Sequence, residues 1–140
     1  MSHLMNIYWL ILSFHVSFIT HEDMITPEVG QTVTLTCRAP TGRTIQAVKW
    51  SRGDPGDQYV LLFQDGRFDP GKQHPSFKNR VDLQDRQMKD GDVSLILKDV
   101  MTDDDGAYEC QVLVGEPRSW ETISISYLSV HPAGEPIKSV

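Results

Sequence analysis

The stretch Asp104-Asp105-Gly106-Ala107-Tyr108-Glu109-Cys110 limits what this chain can fold into more than any other. Its pattern is Asp-x-Gly-x-Tyr-x-Cys, and each position has a mechanical role. Gly106 permits a tight backbone turn that a Cβ would obstruct. Tyr108 and Cys110 are two residues apart, so on a strand they share one face. A buried tyrosine at that spot can return its hydroxyl to the backbone of the preceding turn. Upstream, Cys37 and Trp50 lie on segments with the same inward parity as other apolar residues.

The length, 140 residues, fits one domain with a single core. Hydrophobic residues make up 39% and charged residues 23%, the balance of a globular chain. A net charge of −6 argues against a nucleic-acid partner, which needs a basic patch. The two cysteines, Cys37 and Cys110, show no zinc-type spacing. They are either two buried free thiols or a bridge across 73 residues. Such a bridge would constrain the unfolded chain by roughly 4 kcal/mol.

The N-terminus favours the bridge. Residues 7–19 read IYWLILSFHVSFI, a short apolar run interrupted by Ser13, His15 and Ser17. It is too short for a comfortable membrane span and suits a signal-peptide core. The residues before it lack Lys or Arg, and no small-x-small cleavage pattern stands out near 17–20. We expect a secretory signal over residues 1–20, with a retained signal anchor as the alternative. A secretory route permits a disulfide. No second apolar stretch follows, and residues 132–140 read as a tail or linker rich in Pro, Gly and charge. The expected location is outside the cell, either secreted or at the plasma membrane. Membrane anchoring is expected only if the chain is a fragment of a longer protein.

Between these ends, the apolar pattern is that of an all-β domain. Residues 24–29 suggest a first edge strand, with Pro27 tolerated at an edge or bulge. Val33, Leu35 and Cys37 alternate with polar residues. Val48 and Trp50 are expected inward, with Ala47, Lys49 and Ser51 outward. Residues 59–64 form a strong strand whose faces cannot be assigned by alternation. Asp65-Gly66 signals a type I′ hairpin, followed by a short returning strand over 67–69. Val81 and Leu83 are expected inward on a strand over 79–83. Val93, Leu95 and Leu97 alternate with Ser94, Ile96 and Lys98. The last strand, 120–130, switches parity between Ile123/Ile125 and Leu128/Val130, which suggests a bulge near Ser126-Tyr127. The total is about nine short strands with no useful helical period.

Together, Cys37, Trp50, Tyr108, Cys110 and the Asp104-x-Gly106 turn resemble an immunoglobulin domain. The interval between the cysteines and the extra hairpin over 59–69 resemble the variable type, a Greek-key β-sandwich with one inter-sheet disulfide. The resemblance covers about residues 24–131, within a domain placed at 21–131. It implies the pairing of Cys37 with Cys110, Trp50 packed on the sulfurs, and Tyr108 and Gly106 as structural core. It also implies that Arg80 forks onto Asp104 and clamps one end of the sandwich. The segments 30–37, 63–66 and 74–81 resemble the butyrophilin group, which includes myelin oligodendrocyte glycoprotein and the T-cell costimulatory ligands. Residues 110–130 lack the Phe/Trp-Gly-x-Gly bulge of rearranging antigen receptors.

Enzymatic readings find no support. The five histidines are scattered, none makes a nucleophile pattern with a cysteine, and there is no phosphate loop. The run Asp103-Asp104-Asp105 hints at a metal, but a solvated turn with Asp104 paired to Arg80 explains it more simply. No catalytic residue, metal or cofactor is expected, and no N-glycosylation sequon occurs. The expected function is protein recognition through one sheet, with Lys49, Glu109, Gln111, Leu113 and Trp120 on its outward face. Ser51, Tyr127 and alternate residues of 59–63 are expected neighbours. The plainer alternative is that Leu113 and Trp120 merely pack on each other at the sheet edge. The resemblance implies immune modulation of T cells through a cell-surface receptor, with homophilic or heterophilic adhesion as the alternative and a weak homodimer as one outcome.

Overall fold

A computed structural model describes residues 21–53 and 58–134. The expected signal over 1–20 and residues 135–140 of the tail lie outside the described residues. Nine strands are described: β1 His21–Ile25, β2 Val33–Leu35, β3 Ala47–Arg52, β4 Leu61–Gln64, β5 Arg67–Phe68, β6 Val81–Leu83, β7 Leu95–Leu97, β8 Gly106–Val114 and β9 Ser119–Leu128. They form a six-stranded sheet, β1-β9-β8-β3-β4-β5, and a three-stranded sheet, β2-β7-β6. Among the described residues the only helical turns are three short 3₁₀ turns. This is the variable-type immunoglobulin sandwich, and Cys37 is bonded to Cys110 across it.

The sandwich follows from period-two burial. Val33, Leu35 and Cys37 turn inward from one sheet, with Val93, Leu95 and Leu97 beside them. Val48, Trp50, Leu61, Phe63, Tyr108, Cys110 and Val112 turn inward from the other. Each large side chain so buried contributes about 1.5–3 kcal/mol. Trp50 is fully buried, and its indole N–H donates to the Val93 carbonyl at 2.9 Å, which ties the sheets together. The hairpin over residues 64–67 has positive φ at both Asp65 and Gly66, as a type I′ turn requires.

Several local expectations are corrected. The first strand is His21–Ile25, and past Pro27 it continues only as a bridge between Glu28 and His131. It pairs with β9 in parallel, a long-range choice that local composition does not encode. Residue 59 joins no strand but bridges to Gln73, so β4 begins at Leu61. The strand placed at 79–83 starts at Val81, because Asn79 has positive φ. Ala47 has outward parity yet is buried, its short side chain lying between Leu113 and Gln64. Ser94 is buried as well, and its hydroxyl accepts the Cys37 N–H at 3.0 Å.

The bulge in β9 is not at Ser126-Tyr127. Cys110 pairs with Ser124 and Gln111 with Thr122, so Ile123 is the extra residue. Beyond it Ser124, Ser126 and Leu128 face the core and Ile125 faces out. The inward serines stand opposite Cys110 and Tyr108, where a disulfide and a large ring already occupy the space.

Candidate functional site

One end of the sandwich is closed by a polar cluster. Arg80 Nη2 and Nη1 donate to the two Asp104 carboxylate oxygens at 2.5 and 3.2 Å. Asp104 Oδ2 also accepts the Met101 N–H at 2.8 Å. The Tyr108 hydroxyl donates to the Asp104 carbonyl at 2.5 Å. Burial pushes the Tyr108 phenol up to about 12. The hydrogen bonds that Arg80 donates to Asp104 hold its guanidinium above its already high range. Asp104 is therefore a buried structural acid rather than part of a solvated turn. Among the described residues no three His, Cys, Asp or Glu side chains converge as metal ligands. Gly106, at φ 147°, starts β8 where a Cβ would press on the Arg52 side chain at 3.2 Å.

From that end β8 runs the length of the six-stranded sheet and sets the outer face in rows. The top row holds Trp120, Leu113, Ala47, Gln64 and Arg67 across β9, β8, β3, β4 and β5. Below it lie Thr122, Gln111, Lys49 and Leu62. The third row holds Glu22, Ile125, Glu109 and Ser51, and the fourth holds Met24, Tyr127 and Ala107. Lys49, Glu109, Gln111, Leu113 and Trp120 thus share one face in register. Tyr59, Leu61 and Phe63 turn inward, so Leu62 and Gln64 are the outward members of their segment.

The face is amphipathic. Trp120 is 38% exposed, Tyr127 37% and Met24 71%, which leaves apolar surface at two corners. Lys49 Nζ stands 4.5 Å from the Trp120 ring centroid, a cation–π contact. The Thr122 hydroxyl donates to Glu109. Leu113 and Trp120 are direct cross-strand neighbours, so the plain packing contact exists, yet it leaves the indole partly open. Above the face, Arg43 forks onto Glu121 at 2.7 and 2.8 Å and pins the loop before β3 against β9. That bond holds the Glu121 carboxyl below its usual range.

Six residues escaped sequence reasoning. Met24 joins the face only through the parallel pairing of β1. Leu62, Gln64 and Arg67 needed the hairpin register, since an unbroken apolar run carries no alternation. The Arg43–Glu121 pair links residues far apart in the chain, and no local signal could have found it.

The sequence matches the immunoglobulin V-set domain family over residues 20–131. Among curated relatives, Programmed cell death 1 ligand 1 of Mus musculus is 32% identical over 98 residues, covering 67% of this chain and 33% of the relative. Butyrophilin-like protein 2 of Mus musculus is 30% identical over 103 residues, covering 72% and 22%. The chain therefore spans a third or less of the length of these relatives. A chain in the crystal structure of ICOS in complex with ICOS-L and an anti ICOS-L VNAR domain superposes with a TM-score of 0.69. At 24% identity over 80% of this chain and 56% of the other, that likeness is one of fold. The relatives are immunoglobulin-type proteins, not enzymes. Sandwich, disulfide, clamp and sequence match agree: the chain belongs to the immunoglobulin V-set family, in the group of programmed-death ligands and butyrophilins.

Proposed function

We propose that this chain works outside the cell as a recognition domain that binds a protein counter-receptor through the outer face of its six-stranded sheet. In this reading the binding modulates T cells. One observation carries it: Trp120, Leu113, Lys49, Gln111 and Glu109 lie in register on one open face, with an indole only partly covered. Exposed aromatic and aliphatic groups ringed by polar ones are the usual make-up of an interface centre. The likeness to programmed-death ligand 1 and a butyrophilin-like protein supports the T-cell assignment. The inter-sheet disulfide supports an oxidising, extracellular setting. Secretion through a signal over residues 1–20, or anchoring as part of a longer protein, both suit this role.

A second reading, adhesion, draws on one feature of the same face. Its cationic, aromatic corner at Lys49 and Trp120 is matched by an acidic, apolar corner at Glu22, Met24 and Tyr127. Two copies could match these corners head to tail.

The test is binding of the tetramerised chain to resting and activated lymphocytes. Trp120→Ala, Leu113→Ala and Gln111→Ala variants are compared after their melting curves are checked. Loss of about tenfold or more in at least one variant is expected, since a few central residues dominate an interface. Unchanged binding in all three would sink the face assignment. Self-association of the chain at micromolar concentration, without lymphocyte binding, would favour adhesion.

A further inference from the structure

Lys49 holds a singular position on the outer face. It sits on the central strand β3, between Gln111 of β8 and Leu62 of β4, and is already half-buried. Its Nζ rests over the Trp120 ring, and it takes part in none of the ion pairs among the described residues. The surrounding carboxylates are engaged elsewhere. Glu109 accepts the Thr122 hydroxyl. Asp69, beside Leu62 at the rim, accepts Gln64 Nε2 at 3.2 Å and the Gly71 N–H at 2.9 Å. Glu121 is held by Arg43. Arg67, at the end of the top row, is exposed and also outside every ion pair among the described residues.

A partner docking here would strip the remaining water from the Lys49 ammonium. An indole face attracts a cation but accepts no conventional hydrogen bond, so the three N–H groups would stay unmet. The acceptor must arrive with the partner. The chain as a whole carries −6, and on this face Lys49 and Arg67 are the two cations outside every ion pair among the described residues. A partner carboxylate is attracted to these two cations, and such charge matching sets register and specificity.

Building on the proposed use of this face, we infer that the protein partner places an Asp or Glu carboxylate on Lys49. Apolar side chains beside that carboxylate cover Trp120, Leu113 and Leu62. Arg67 lies at the rim and steers the approach of the acidic surface.

The experiment needs no known partner. A surface-displayed library of a small helical scaffold, with one face randomised, is selected on the full chain. Winners are then measured on the Lys49→Glu, Lys49→Arg, Arg67→Glu and Trp120→Ala variants, each checked for an unchanged melting curve. Winners are expected to carry Asp or Glu beside Leu, Phe or Trp. Lys49→Glu should weaken them about tenfold or more through faster dissociation, while Lys49→Arg keeps most of the binding. Arg67→Glu should act mainly by slowing association and flattening its salt dependence. Winners that lose to Trp120→Ala but bind Lys49→Glu equally well overturn the carboxylate and leave the face standing. Winners indifferent to both variants overturn the face itself. Sedimentation of the chain as a dimer that Lys49→Glu dissolves would assign the carboxylate to a second copy, and would also overturn the inference.

Discussion

Removing Asp104 should be among the costliest single changes to this domain. It is the one charged residue fully buried among the described residues, at 2% exposure. Asp104→Ala leaves the Met101 N–H without its acceptor and Arg80 without its counter-charge. Breaking a buried ion pair from one side costs about 3–5 kcal/mol. Arg80 keeps the carbonyls of Ser76 and Asp99 at 2.7 and 3.1 Å, which places Asp104→Ala near the lower end. Arg80→Ala strands a buried carboxylate and belongs near the upper end. The double variant should then fall short of the sum by about 2 kcal/mol, the coupling of two groups in direct contact. Urea unfolding of the four proteins, with an unchanged dependence on denaturant, measures this cycle. Melting points should drop by more than about 10 °C, because each kcal/mol shifts a domain of this size by roughly 4–8 °C. Single variants that each cost under about 1 kcal/mol and simply add would show that the clamp is not what closes this end.

Two further outcomes follow from the core. The protein, denatured without reductant, should show no free thiol, and Cys37→Ala with Cys110→Ala should cost about 2–5 kcal/mol in urea unfolding. Tyr108 should ionise only in the strongly alkaline range by absorbance near 295 nm, because burial pushes its folded phenol up to about 12 from an ordinary 10.0. A folded value raised above the unfolded one gives stability that is complete below about pH 10 and is lost as pH rises from about 10 through about 12. Tyr108→Phe should remove that alkaline loss and cost about 1 kcal/mol at neutral pH, for the missing bond to the Asp104 carbonyl.

The parts legible in the sequence were those whose physics is local or whose pattern is unusual. Cys37, Trp50, Tyr108 and Cys110 mark the sandwich because each must be inward on a strand. Asp65-Gly66 marks its hairpin because both residues accept positive φ. Parity misled where volume, not polarity, decided which residue turned in. Ser124 and Ser126 took core positions beside the disulfide and Tyr108, while Ile125 was left outside, so the bulge fell at Ile123. Ala47 and Ser94 are buried for a related reason: a short side chain between longer neighbours is covered whatever its parity. The outward face was legible along β3 and β8, where alternation holds. It was not legible along β4 and β1, where an unbroken apolar run and a parallel pairing depend on contacts far away in the chain.

A glycan wedge tests the role of the outer face most directly. Gln111→Asn with Leu113→Thr creates an N-glycosylation sequon at the centre of that face. Asp82→Asn with Gln84→Thr creates one on β6 of the other sheet, as a control. Secreted tetramers of both glycosylated forms, matched for melting point, are compared with the unmodified chain for binding to activated lymphocytes. Loss of binding with the first sugar and retention with the second is the expected result. Binding that survives the first sugar, or vanishes with the second, would contradict recognition through this face.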